Sequence, residues 1–325
     1  MKKRRSLSGI KPTGSPHLGN LLGMILPALK LQATHDCYYF VADYHALTTE
    51  RDGAALRAST REITAVFLAF GLDVSKSVWY RQSDLQETAE LSWILSCFTP
   101  MGLLERAHAY KDAVAKGREA THGLFAYPVL MAADILIVES DDVPVGADQK
   151  QHVEMTRDIA EKVNRAWGED CLRIPSPLIE TSVETIVGLD GQKMSKSYGN
   201  TLAIFEDPTA QRKKVMRITT DSKGVDEPKD PDTCNIFKLY KLIADRTKQE
   251  ALAGRYRSGG MGYGEAKQAL WTELEAFLAG PRERYQDWMK RPDDIEDILK
   301  EGAKKARAVS QPLLEKLRSK AGLGS

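Results

Sequence analysis

Short apolar runs alternate with longer segments of helical period through the first half of the chain. RSLSG (5–9) predicts a strand, and the segment after a glycine-rich turn, from about residue 18 to 33, predicts a helix. YYFVAD (38–43), aromatic and β-branched, predicts a second strand, with a helix over about 54–70. SVWYRQ (77–82) predicts a third strand, followed by a helix over 87–98. VPVG (143–146) then opens a long helix from about 148 to 167. Apolar strands separated by helices are buried on both faces, so the pattern predicts an α/β fold, a doubly wound, Rossmann-like parallel sheet.

Past the glycine-rich segment GLDGQKMSKSYGN (188–200) the strand signal stops. From about residue 210 the chain reads as charged helices separated by DSKGVDEPKDPD and RSGGMGYG. This change predicts two domains, a Rossmann-like catalytic domain over 1–200 and a helical domain over 201–325.

Composition narrows the class. The 46 basic and 45 acidic residues leave a formal charge of +1, so a nucleic-acid partner requires a local basic patch rather than a global field. No apolar run approaches the roughly 18 residues that span a bilayer. The basic opening MKKRRS is not followed by a signal-peptide core. The 4 cysteines form no Cys-x-x-Cys pair, as expected in a reducing cytosol. The expectation is a cytoplasmic protein without a membrane partner or a protein-held metal site.

Two segments carry chemistry. In SGIKPTGSPHLGN (8–20), Gly14 and Gly19 have the spacing of a P-loop, but Asn20 and Leu21 stand where Lys and Ser/Thr belong, and G-x-G-x-x-G is absent. What remains is a strand–turn–helix whose backbone N–H groups favour an anion, with Thr13, His17 and Asn20 as polar side chains at the helix entrance. A plain structural turn is the alternative. In KMSKS (193–197), two lysines lie on a loop flanked by Gly191 and Gly199, suited to neutralising charge as pyrophosphate leaves a triphosphate. Its plain alternative is a solvated basic loop.

Together these segments identify a resemblance. PTGSPHLGN resembles the first signature of class I aminoacyl-tRNA synthetases, in the His-x-Gly-Asn form of the tryptophanyl branch, and KMSKS matches the second letter for letter. FVADYHALT (40–48), YPVLMAADIL (127–136), VPVGADQKQH (143–152) and EGAKKAR (301–307) extend the resemblance to that branch over nearly the whole chain.

One position fits the amino acid physically. Tyr127, Met131 and Asp134 fall at i, i+4 and i+7, on one helical face. Asp134 lies in an otherwise apolar stretch, where an unpaired carboxylate is costly. An indole N–H would supply the missing donor, with the ring against Met131; an Asp paired inside the protein, for example with an Arg, is the alternative. The resemblance implies that Val143 and Val145 wall the indole slot, that Tyr127 and Gln149 hold the ammonium group, and that His45 lies beside the pocket or packs in the core. It further implies an ATP site made by Lys11, Pro12, Thr13, Gly19, Asn20, Gly146, Ala147, Asp148, Ile186, Lys193, Met194, Ser195, Lys196 and Ser197. Thr13, His17, Asn20, Lys193 and Lys196 would serve catalysis.

Three positions depart from the common family pattern: Lys11 replaces a Gln, Ala109 a Gln and Ala147 a Glu. The implied reaction joins L-tryptophan and ATP, with Mg²⁺ held by ATP oxygens and water, into tryptophanyl-adenylate and then charges tRNA(Trp). The implied partner is a second copy, giving a homodimer. RKKVMR (212–217), Lys238, Lys241 and Arg246 are candidate tRNA phosphate contacts. Tyrosyl-tRNA synthetase is the nearest rival; a small-molecule nucleotidyltransferase and a synthetase-like paralogue with a binding or regulatory role are the others.

Overall fold

The computed structural model describes residues 3–117, 119–146, 149–168, 170–179 and 186–324. Five parallel strands, β1 (Arg5–Ile10), β2 (Asp36–Val41), β3 (Val78–Arg81), β4 (Asp142–Val145) and β5 (Ser176–Ile179), form one sheet in the order β3-β2-β1-β4-β5. The order makes β1 the central strand. Connections run to β2 and β3 on one side and to β4 and β5 on the other, so a crevice opens beyond the carboxyl ends of β1 and β4.

Side chains on β2 alternate between two cores. Cys37, Tyr39 and Val41 enter one cluster with Phe67 and Trp79, while Tyr38 and Phe40 enter the other with Tyr80, Leu136 and Ile159. Burial on both faces explains the continuous apolar run that predicts this strand.

The predicted helix over 18–33 is present in pieces. It starts as Leu18–Asn20, widens to π geometry over Leu21–Ile25 and resumes as Leu26–Lys30. Pro27 has no N–H for the carbonyl four residues back, and the widened turn absorbs that loss. Neither β4, whose VPVG segment is read from the sequence only as the opening of the next helix, nor β5 is predicted. β5 is a short edge strand with Pro177 in it, a composition that weakens any strand pattern.

Among the described residues no strand follows β5, and the helices Asn235–Ile243, Arg246–Ser258, Tyr263–Met289 and Pro292–Ala321 bring Phe237, Tyr256, Leu270 and Leu299 into the first core. The last helix then crosses to the sheet and covers the β3 edge. A Cβ on Gly302 would lie 1.7 Å from the Trp79 carbonyl oxygen, so glycine alone admits this approach. Glu296 pairs with Arg81 at 2.7 Å and Arg307 with Glu87 at 2.8 Å.

Candidate active site

The segments after the strand carboxyl ends converge. Lys11 to Asn20 follow β1, Asp43 to His45 follow β2, Gln82 follows β3, and Gly146 and Gln149 follow β4. The two glycine-rich segments, far apart in sequence, lie against each other here.

The first turn is closed by its own polar groups. His17 caps the helix through Nδ1, which accepts the Asn20 backbone N–H at 3.3 Å, while Asn20 Oδ1 accepts the His17 N–H at 3.1 Å. Gly14 has a φ of 68°, in the left-handed region that favours glycine. The second loop docks on this turn. Gly19 N–H points to the Met194 sulfur at 3.2 Å, Lys196 Nζ donates to the Thr13 carbonyl at 2.5 Å, and Leu18 N–H donates to the Leu202 carbonyl at 2.8 Å. A side chain at Gly19 would meet both the His17 ring and Met194.

The loop's shape follows from a short antiparallel bridge between Val187 and Lys193, closed by Met194 N–H to the Ile186 carbonyl at 2.8 Å. Asn200 supports it from inside, accepting Ser195 N–H at 2.8 Å and donating to the Lys193 carbonyl at 3.1 Å. Alternation along the bridge sends Met194 inward and leaves Lys193 exposed. The two lysines therefore do not converge: Lys196 reaches the turn, whereas Lys193 lines a cavity of about 450 Å³ with Lys238 and Lys241. Ser197 is exposed and its N–H donates to Ser195 Oγ at 3.3 Å.

Burial shapes the charges. His17 is pushed down to about 4, first by desolvation and then by the Lys196 charge, so its ring is neutral. Desolvation also lowers Lys11 and Lys196.

The helix His122–Ile137 carries Tyr127, Met131 and Asp134. Asp134, 2% exposed, is not short of donors, which corrects the expectation of an unpaired carboxylate. Oδ2 lies 2.7 Å from His45 Nε2, and Oδ1 accepts Gln82 Nε2 at 2.7 Å. The internal partners are a His and a Gln, not an Arg. Desolvation raises the Asp134 pKa, and these two bonds oppose the rise. His45 packs edge-on against Tyr127 with centroids 4.7 Å apart, and its buried Nδ1 has no hydrogen-bond partner among the described residues.

Lys11 is half-buried with its ammonium 4.8 Å from the Tyr127 ring centroid, turned toward the helix His122–Ile137. Pro12 is buried beside it. Val143 is buried and Val145 half-buried at the end of β4, Gly146 is exposed, and Gln149 opens the helix Lys150–Trp167. Ile186 is buried, with its carbonyl committed to Met194. Ala147 and Asp148 lie outside the described residues.

Gln82 was missed by the sequence reading. Its only signal was position, a polar residue closing an apolar parallel strand at the end where such sheets bind ligands.

The family model of class I tRNA synthetases (W and Y) matches residues 1–279. A tryptophan--tRNA ligase of Campylobacter jejuni is 47% identical over 98% of this chain and 100% of its own length. One from Fusobacterium nucleatum is 46% identical over 98% of both chains. A crystal structure of tryptophanyl-tRNA synthetase from Campylobacter jejuni, complexed with ADP and tryptophan, superposes with a TM-score of 0.92, at 47% identity, covering 98% of this chain and 100% of that one. The chain belongs to the W and Y family of class I tRNA synthetases, in its tryptophan--tRNA ligase branch.

Proposed function

We propose that the crevice activates L-tryptophan with ATP and charges tRNA(Trp), with the indole bound at Asp134 and the triphosphate held between the two glycine-rich segments. The observation that supports this reading is the contact of Lys196 and Met194 with the Thr13–Asn20 turn, which brings the two class I signatures side by side.

A tryptophan carboxylate oxygen attacks the α-phosphorus, the bond to the β-phosphate oxygen breaks, and pyrophosphate leaves. A ribose hydroxyl of the terminal tRNA adenosine then takes the acyl group and AMP departs. Positioning and electrostatics supply the catalysis. Thr13, neutral His17 and Asn20 shape the turn around the phosphates, with Pro12, Gly19, Gly146, Ala147, Asp148 and the Ile186 backbone around the nucleotide. Lys196, already docked on the turn with Met194, meets the phosphates there, with Ser195 and Ser197 beside it. Lys193 joins once the loop turns it from the cavity beside Lys238. Lys11 leaves the Tyr127 face, where a second ammonium is repelled, and turns to the phosphates. Mg²⁺ arrives with ATP, on phosphate oxygens and water.

Tryptophan sits with its ring by Met131, Val143 and Val145 and its ammonium near Tyr127 and Gln149, with His45 bracing Asp134. Residues 1–200 form the catalytic domain, and 201–325 a helical domain that reads the tRNA anticodon region. A homodimer is the assembly that the family resemblance implies. The cytoplasm is the compartment.

The test is Asp134→Ala: KM for tryptophan rises about 100-fold or more while ATP binding is retained. An unchanged KM removes Asp134 from the pocket.

A further inference from the structure

Gln82, fully buried at the end of β3, uses both ends of its amide. Nε2 donates to Asp134 Oδ1 at 2.7 Å. Oε1 accepts the backbone N–H of Tyr44 at 3.0 Å and of His45 at 3.4 Å. This pattern fixes the amide's orientation, because turned over it would set NH₂ against two N–H groups and a carbonyl oxygen against a carboxylate. The side chain thus grips Asp134 directly and also holds the turn that carries His45, whose Nε2 lies at Asp134 Oδ2. Both carboxylate oxygens are oriented through Gln82, one by contact and one through the backbone it clasps.

A carboxylate has about four acceptor positions, so two donors leave it able to take a third N–H. Where that acceptor points depends on the two bonds already made. Arg81, the neighbour of Gln82, is anchored by Glu296 at 2.7 Å and Asp84 at 3.0 Å, which holds the strand end.

We propose that Gln82 is a positioning residue that sets amino-acid specificity, holding Asp134 so that its free acceptor faces the ring N–H of the substrate. The proposal rests on Asp134 being the indole acceptor. Selection against an amino acid of tryptophan's shape without that N–H then depends on Gln82 as well as Asp134.

The experiment is ATP–pyrophosphate exchange with tryptophan and with β-(1-benzothiophen-3-yl)alanine, whose ring sulfur replaces the N–H. The readout is the ratio of kcat/KM values for the full chain, Gln82→Met and Asp134→Ala. The expected result is a preference for tryptophan that falls about 10-fold or more in both variants, through KM for tryptophan, with kcat/KM for the sulfur analogue retained. If Asp134→Ala loses the preference and Gln82→Met keeps it, or loses both substrates equally, Gln82 is only structural and the proposal is overturned while the Asp134 reading stands. If Asp134→Ala keeps the preference, both are overturned. Should Gln82→Met not fold, Gln82→Asn carries the test, since it keeps a neutral amide but, one methylene shorter, cannot reach Asp134 while holding the Tyr44 and His45 N–H groups.

Discussion

The Lys196 ammonium lies 2.5 Å from the carbonyl oxygen of Thr13, a residue 183 positions earlier in the chain. The contact pins the second glycine-flanked loop to the first. It also parks a partly desolvated cation on the turn where a triphosphate would be held. A cation already in position costs no reorganisation as negative charge develops on the leaving pyrophosphate. Lys196→Ala is expected to lower kcat for tryptophan-dependent exchange by about 10²–10³-fold with KM for tryptophan nearly unchanged. Equal losses in the two parameters would make the loop a structural element only.

His17 titrates far below an ordinary histidine, at about 4 against 6.5. Between these values the unfolded chain binds a proton that the fold refuses. The contribution to stability is therefore complete above pH 6.5 and is lost as pH falls toward 4. Through the assay range the ring stays neutral, with Nδ1 accepting from Asn20. The Cε1–H resonance of His17 should not move between pH 5.5 and 8, and a midpoint near 6.5 would contradict the assignment.

Gly302 lets the C-terminal helix touch the backbone of Trp79. Neither partner is a flexible side chain end, so Gly302→Ala forces the helix off the β3 edge and strains the Arg81–Glu296 and Arg307–Glu87 pairs. The expected cost is about 3 kcal/mol or more, read as a fall in Tm of about 5 °C or more. An unchanged Tm would mean the helix shifts without loss.

These features differ in how far the sequence announces them. Strand β2 was legible because burial on both faces makes an unbroken apolar run, and the turn at 8–20 because glycines and polar residues crowd one strand–helix junction. β5 was not, since a proline-bearing edge strand has neither alternation nor an apolar run. The position of Asp134 was legible as a carboxylate on an apolar helix face, but its pairing was not. His45 and Gln82 reach it from the ends of β2 and β3, and only the sheet order brings those ends together. The helical period of the last segment was readable, whereas its return to β3 hangs on one glycine among 24. The opposite facing of Lys193 and Lys196 comes from a three-dimensional bridge that a motif does not encode.

The most direct test is ATP–pyrophosphate exchange by the purified protein with tryptophan, with tyrosine and with no amino acid. The account predicts exchange with tryptophan alone, because it reads Asp134 as the indole acceptor and the docked Lys196 loop as the partner of the triphosphate. Exchange with tyrosine, or none with either from a folded protein, would contradict it.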